Sequence, residues 1–368
     1  MFSCYIKTVH VNVLVNVLRR NYTPMAKRVT IKDVAAQAGI SYQTVSRVIN
    51  NKGEVSPEVR TRVQAAIKEL GYRPNAIARS MVRGRTHTLG CISPNLTDYT
   101  FACLVEGAKS AARERGYFLL AASAEQESEV SALCDEMLHS GRVDGLLAIN
   151  PYADGRYRCF EVLVAQGAAI VYFGVSTRHG VVSSVGLDDE GGAYQATRHL
   201  IALGHTRIVI LTGPQNEDCV QDRNAGFVRA LREAGLDVPA NTTLTGDWSV
   251  SSGYQAMQHW LTSGTNFSAL FAQNDRMAVG AIKAARDCGR RVPQDLAVVG
   301  FDDMPLASYF DPPLTTICQD IFEHGRQGTR ILIERIENPS SPLEHVVVPV
   351  QLVVRESCGS KLASLVNK

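Results

Sequence analysis

The stretch SYQTVSRVIN, Ser41 to Asn50, decides how the whole chain is read. Val45, Val48 and Ile49 form an apolar stripe at helical spacing, while Gln43, Ser46, Arg47 and Asn50 fall on the opposite face at i, i+3, i+4 and i+7. Tyr42 and Thr44 occupy the first turn. Glutamine and asparagine bond adenine edges bidentately and arginine bonds guanine, each good pair discriminating by about 1–3 kcal/mol. On a generic helix such a face is merely solvated, so the surroundings must choose between the two readings.

Three short helices fit Thr30 to Gly71. Thr30 caps IKDVAAQA with Asp33 in its first turn, and Gly39 closes it; Ser41 caps YQTVSRVI; Ser56 and Pro57 open PEVRTRVQAAIKEL, which Gly71 ends. Val34, Ala35, Ala38, Val45, Val48, Ile49, Val59, Val63, Ile67 and Leu70 recur at three- and four-residue spacing and suffice for one small core. Helix, four-residue glycine turn, helix is the helix-turn-helix pattern. Charge points the same way: Met25 to Arg85 holds twelve basic and four acidic residues, a balance of +8 that the acidic remainder of the chain hides within a total of +2. A compact basic module on an acidic body implies that one part meets a polyanion.

Residues 72–86, YRPNAIARSMVRGRT, carry Pro74 and Gly84 as punctuation, and Asn75 caps a helix of two turns that is marginal alone in water. From Thr88 the period changes. Apolar runs TLGCI, FLLAAS, GLLAIN, AAIVYFG, RIVILTG, SALFAQN and LAVVGFDD alternate with helical segments, which is repeated βα and hence parallel sheets covered by helices. About 270 residues is long for one such sheet, so two similar lobes are expected, with the break near GLDDEGG, Gly186 to Gly192. VVVPVQLVVRE reads as the last strand. The expected organisation is an N-terminal extension over 1–24, a helix-turn-helix headpiece over 25–71, a hinge linker over 72–86, a two-lobed α/β body over 87–358 and a short tail over 359–368.

Other classes are poorly supported. VHVNVLVNVL, Val9 to Leu18, is too short and too interrupted to span a membrane, and Met25 followed by AKRVTIKDVA reads as a natural beginning. Nine scattered cysteines without a C-x-x-C pair suggest reduced cytosolic thiols, with neither disulfides nor a metal expected. There is no G-x-S-x-G, no G-x-x-x-x-G-K-[ST] and no G-x-G-x-x-G after a strand, so neither an enzyme nor a cofactor is expected.

In parallel α/β sheets ligands bind beyond the carboxyl ends of the strands. SALFAQND delivers Asn274 and Asp275 there, LAVVGFDD delivers Asp302 and Asp303, and GCISPN delivers Asn95. Carboxylate, amide and guanidinium groups suit vicinal sugar hydroxyls, and Trp248 in GDWS suits the face of a pyranose. Plainer roles exist for each: an Asp after a strand often caps the next helix, and a Trp is more often core. The dyads Asp188-Asp189 and Asp302-Asp303 are read as one helix cap each.

The stretch from Val29 to Met81 resembles the headpiece of the lac repressor (LacI) family of bacterial transcription regulators, and its YQTVSRV helix resembles that of the repressor that gives the family its name. The likeness continues through HLIALGHTRIVILTGP, GDWS, QNDRMAVGAI, VVGFDD and PPLTTICQD to about Arg355. The resemblance implies a periplasmic-binding-protein-like body and a cytoplasmic homodimer that represses a sugar-utilisation operon from a pseudo-palindromic double-stranded operator. It implies that Tyr42, Gln43 and Arg47 touch bases while Thr30, Ser41, Thr44 and Ser46 sit near phosphates or helix caps, and that a hinge helix with Asn75, Ala78 and Met81 enters the minor groove. Met81 stands where the family usually wedges a leucine. It further implies that Arg223, Asn274 and Asp302 take the hydroxyls of a galactoside or hexose in a cleft lined by Trp248, Gln319 and Phe101. Where the family's name-giving repressor has an acidic residue after the strand near Phe173, this chain reads GVSTRHG, so Thr177 or Arg178 stands in and the sugar is open. The rival readings are a purine or phosphosugar corepressor and a sugar-binding transport protein. The leucine-rich tetramerising tail is absent, which makes a dimer the expected assembly.

Overall fold

A computed structural model describes residues 29–50, 52–73, 84–149, 151, 156–174, 181–238 and 242–360. The 1–24 extension, Thr177 and Arg178, and the hinge residues Asn75, Ala78 and Met81 lie outside the described residues. The chain divides after Gly84 into two compact units.

In the first unit the expected boundaries hold. Helix α1 runs Ile31–Ala38, α2 Tyr42–Ile49 and α3 Pro57–Leu70. Thr30, Ser41 and Ser56 cap them at the N-termini, and Gly39 and Gly71 end α1 and α3 with φ of 64° and 59°, the left-handed geometry glycine tolerates. Arg62 donates to the Ala38 carbonyl at 2.8 Å, satisfying an acceptor that the first helix leaves open. Val34, Ala35, Ala38, Val45, Val48, Val63 and Ala66 are the buried centre, with Ile49, Val59, Ile67 and Leu70 packed around it.

The second unit holds two six-stranded sheets. The first has the order β11-β5-β4-β3-β1-β2, built from His345–Val348, Ser183–Leu187, Ile170–Phe173, Gly145–Ile149, Thr88–Ser93 and Phe118–Ser123, all parallel. The second has the order β12-β10-β9-β8-β6-β7, built from Val350–Val353, Thr315–Gln319, Ala297–Asp302, Ala269–Ala272, Ile208–Thr212 and Thr243–Thr245. Among the described strands of this sheet only β12 is antiparallel to its neighbour. The two orders match, so the lobes share an architecture without a repeat in sequence. In each, the strand order reverses between the first strand and the third, which makes β1/β3 and β6/β8 the switch points where ligands bind.

The lobes are more interleaved than the sequence implied. The expected break is present, because β5 ends the first sheet at Leu187 and the helix α7, Asp189–Ala202, packs on the second. The chain then crosses twice more. Helix α11, Ile321–Glu337, follows β10 of the second sheet but packs on the first. VVVPVQLVVRE is two strands, since Pro349 lacks the N–H a ladder needs, and its halves β11 and β12 complete different sheets.

Helices in each lobe meet backbone to backbone at glycine. Gly107 of α4 (Tyr99–Glu114) and Gly325 of α11 face each other's helices, so a Cβ at Gly107 would overlap the Phe322 carbonyl and one at Gly325 the Leu104 carbonyl. Gly253 of α9 (Val250–Thr262) and Gly280 of α10 (Asp275–Asp287) do the same in the second lobe, as does Gly226 of α8 (Asp218–Glu233) against the Glu190 carbonyl. Backbone cannot yield as a side chain can. Gly280→Ala should therefore destabilise the body by about 1–3 kcal/mol or more through overpacking, measured as a lowered midpoint of thermal unfolding, while Gly289→Ala tests only backbone strain at its φ of 78°.

Candidate functional site

Helix α2 has the two faces that its sequence predicts. Val45 and Val48 are buried, Ile49 is half-buried, and Tyr42, Gln43 and Arg47 are exposed, Tyr42 at 54% despite its aromatic ring. Ser41 accepts from the Thr44 amide at 3.2 Å and its hydroxyl pairs with that of Thr44 at 2.9 Å; Thr30 and Asp33 form a reciprocal capping box. Thr30 and Ser41 thus act as caps. Asn50 departs from the expected face: it ends the helix, and its Nδ2 donates back to the Ser46 carbonyl at 2.9 Å and the Ser46 hydroxyl at 3.3 Å. A short amide side chain at a helix end bonds back to its own last turn, here to a Ser46 carbonyl that also accepts from the Asn50 backbone amide at 3.0 Å. Asn50 shapes the end of the helix, and Tyr42, Gln43 and Arg47 remain as its exposed outward row.

In the body, Asn95, Asp98, Phe101, Pro151, Glu217, Arg223, Asp247, Trp248, Asn274, Arg276 and Asp302 enclose a cleft of about 250 Å³ between the lobes. Pro94 and Pro151 follow β1 and β3, and Asn274 follows β8, so the cleft lies at the switch points of both sheets. Arg223, on α8, is buried at its floor. Its Nε donates to Asp189 Oδ1 at 2.7 Å, its Nη1 to the Gln273 carbonyl, and its plane lies 3.7 Å from the centre of the Phe301 ring. Burial works against its charge, but Asp189 and Asp302 hold the proton firmly. Burial likewise pushes Asp189 up from the usual carboxylate range while Arg223 draws it back.

Trp248 half-covers this floor. Its Nε1 donates to Glu217 Oε1 at 2.9 Å and its ring rests on Gly213, where a Cβ would overlap it. Its φ is 68°, and Asp302 and Asp303 have φ of 116° and 52°, conformations that cost energy for residues with a side chain. Three of the four such residues among those described lie at or beside this cleft, which is where strain collects when function requires it. Burial pushes Glu217 and Asp302 above the ordinary carboxylate range.

Other expected ligands have additional duties. Asn274 caps α10 through Oδ1 at 2.8 Å from the Met277 amide, and its Nδ2 donates to the Trp248 carbonyl at 3.0 Å, so it faces the cleft while holding the tryptophan loop. Asn95 Oδ1 accepts from the amides of Thr97 and Asp98. Gln319 donates to Asp302 at 2.6 Å and lines an adjoining chamber. Asp275 does not reach the cleft: it is buried beneath it, accepting from the Met304 amide and the Thr316 hydroxyl. Of the dyads, Asp188 caps α7 as expected, whereas neither Asp302 nor Asp303 caps a helix; Asp303 pairs with Arg355 at 2.7 Å. Among the described residues no cluster suited to a metal ion occurs.

The model for bacterial regulatory proteins of the lacI family matches residues 30–75, and that for a periplasmic binding protein-like domain matches residues 197–358. The HTH-type transcriptional regulator CelR of Thermobifida fusca is 37% identical over 338 residues, 90% of this chain and 98% of that protein. The chain belongs to the lacI family. The ribose operon repressor of Escherichia coli strain K12 is 37% identical over 333 residues, covering 89% and 99% of the two chains. Among solved structures, the lac repressor dimer bound to operator and the anti-inducer ONPF superposes with a TM-score of 0.84 at 31% identity, covering 90% of this chain and 99% of that one. A CelR–cellobiose complex superposes at 0.69 with 35% identity, covering 90% and 100%.

Family membership leaves Asp98, Glu217, Asp247 and Arg276 still to be explained, because sequence reasoning overlooked all four. Asp98 in the first lobe and Arg276 in the second form an ion pair across the cleft, and the Asp218 amide donates to the Pro151 carbonyl at 2.9 Å across the same gap. Asp247 and Arg276 lie inside GDWS and QNDRMAVGAI, whose neighbours Trp248 and Asn274 were singled out instead, and no motif marks Asp98 or Glu217; only the meeting of two lobes brings the four together.

Asp275 makes the stability of the body depend on pH. Burial, followed by the nearby Asp303 charge, raises it to about 7, against hydrogen bonds from Thr316 and Met304 that lower it. The folded state therefore binds a proton more tightly than the unfolded chain, so this residue's contribution to stability grows as pH falls from about 8 toward about 5 and is lost as pH rises through 7. The gap in unfolding midpoint between the parent and Asp275→Asn should shift in the parent's favour on acidification. A gap independent of pH would show that Asp275 does not titrate there.

Proposed function

We propose that this chain is a transcriptional repressor whose homodimer reads a pseudo-palindromic operator through its headpieces and releases it when a neutral sugar fills the cleft. The observation that carries the DNA half is the exposed row of Tyr42, Gln43 and Arg47 on a helix held down by Val45 and Val48. Tyr42, Gln43 and Arg47 meet base edges in the major groove, and the capped N-termini of the headpiece helices meet phosphates. The proposed division keeps 25–71 as headpiece, 72–86 as linker and 87–358 as the effector body, with Asn75, Ala78 and Met81 serving the minor groove. Among the described residues no helix is long and apolar enough to cross a membrane, and a DNA-reading protein of this kind works in the cytoplasm.

The effector's chemistry follows from the cleft. Asp98, Asp189, Glu217, Asp247 and Asp302 outnumber Arg223 and Arg276, and each arginine already has a carboxylate partner. A phosphosugar would face like charge, which costs several kcal/mol. A neutral polyol supplies the hydroxyl donors those carboxylates want, with Trp248 against its apolar face. The cellobiose bound by CelR, a relative, supports the same class.

Regulation needs an effector that prefers one lobe orientation, since equal affinity for both shifts nothing. The sugar favours the splayed form, in which the hinges separate and the operator is released. Calorimetry against galactosides, hexoses, phosphosugars and purines tests the class, and tighter operator binding on adding the sugar would overturn the sign. Arg47→Ala should relax discrimination at one base pair by about 1–3 kcal/mol without altering sugar binding. A uniform loss across all operator sequences would reduce Arg47 to a phosphate contact.

A further inference from the structure

The first sheet has two faces, and its side chains alternate between them. On β3, Leu147 and Ile149 join the core that holds Leu104 of α4 and Leu332 of α11, whereas Leu146 and Ala148 join a second core on the opposite face. That second core is covered by α5, Glu127–Leu138, and α6, Arg156–Ala165, and stands apart from the cleft. Val130, Cys134 and Met137 form the buried stripe of α5, and Cys159, Phe160 and Leu163 meet it from α6. Spacing in the sequence gave no reason to pair any of the cysteines. Folding brings these two into one core, with the Cys134 thiol hydrogen-bonded to the Cys159 sulfur.

The two sulfurs differ in their settings. Cys134 has no exposed surface, while Cys159 is half-buried and lies in the opening turn of α6, the end of a helix that favours negative charge. Charge therefore belongs on Cys159, and Cys134 is the donor. That hydrogen bond holds the Cys159 thiol below its ordinary range against the effect of burial, with the Phe160 and Cys159 amides helping, and the same bond together with burial pushes Cys134 up. A buried cysteine in an apolar core is usually inert. Here its neighbour is a second sulfur that solvent partly reaches. None of the described cysteines is joined in a disulfide, so the pair stands reduced.

We propose that Cys134 and Cys159 are a peroxide-oxidised thiol pair, in which Cys159 meets hydrogen peroxide and Cys134 closes a reversible disulfide upon it. The Cys159 thiolate attacks one peroxide oxygen, the O–O bond breaks, and the departing hydroxide takes a proton and leaves as water. Cys159 is then a sulfenic acid. The Cys134 sulfur attacks the sulfenic sulfur, its proton goes with the displaced hydroxide as a second water, and the S–S bond forms. Two thiols and one peroxide become one disulfide and two waters, and a dithiol reverses the step by exchange while it is itself oxidised. A thiol already in contact also intercepts the sulfenic acid before a second peroxide carries it to the irreversible sulfinic acid.

The test treats the full-length reduced protein with stoichiometric hydrogen peroxide and maps its tryptic peptides by mass spectrometry without reduction. The expected product is a pair of peptides linked through Cys134 and Cys159, two hydrogens lighter than the separate peptides and restored by dithiothreitol. N-acetylcysteine in the same solution is the reference: from about pH 8 to about pH 6 its oxidation should slow roughly fiftyfold or more as its thiolate is protonated, and that of Cys159 by less than about tenfold. Cys134→Ser should stop at a sulfenic acid on Cys159 that dimedone traps, and Cys159→Ser should leave Cys134 unoxidised. Absence of the linked pair from the oxidised parent overturns the proposal, as does linkage of either cysteine to a different one. A Cys159 that follows the pH profile of N-acetylcysteine, or a Cys134 that oxidises without Cys159, overturns the assignment of roles and the proposal with it. The peptide map and pH profile of the parent decide the matter should a serine variant fail to fold.

Discussion

The body is organised around one buried cation. Arg223 fastens the start of α7, through Asp189, to the end of β8, through the Gln273 carbonyl, and stacks on Phe301 of β9. A buried ion pair is weak evidence for stability, since taking both charges from water costs about what their attraction returns. Its value here is positional. Removing the guanidinium would strand Asp189 next to the first crossing between lobes, and the cleft floor on which Trp248 and Asp302 depend would lose its reference point.

Around that point the molecule separates stiff parts from yielding ones. Within each lobe the helix pairs touch through glycine, backbone against backbone, and have no slack to slide. Between the lobes there are three covalent crossings and a few polar ties, chiefly Asp98 with Arg276 and Asp218 with Pro151. Packed cores move as rigid bodies about such connections. A ligand that inserts among the polar ties thereby acts on lobe orientation directly.

The headpiece was almost wholly legible in the sequence because its signals are local: each cap, glycine stop and apolar stripe lies within a few residues of what it controls. Spacing places Asn50 on the outward face, whereas its amide bonds back to the Ser46 carbonyl and hydroxyl. In the body the strongly apolar strands declared themselves, but SSVGL and TLT did not, being short or small-residue segments that only their neighbours make into strands. Asn274, Arg223 and Trp248 were recognisable through family resemblance, and their hydrogen-bond partners were not.

Pro349 also sets the order in which the chain completes its two sheets. By splitting one apolar run, it makes the final strand of the first sheet and the final strand of the second neighbours in synthesis. No single cut yields either lobe intact, so neither can be expressed, exchanged or lost independently of the other. A ribosome making this protein must pass Pro349 before both sheets have their last edge strands, and the two lobes then close those edges within a few residues of each other.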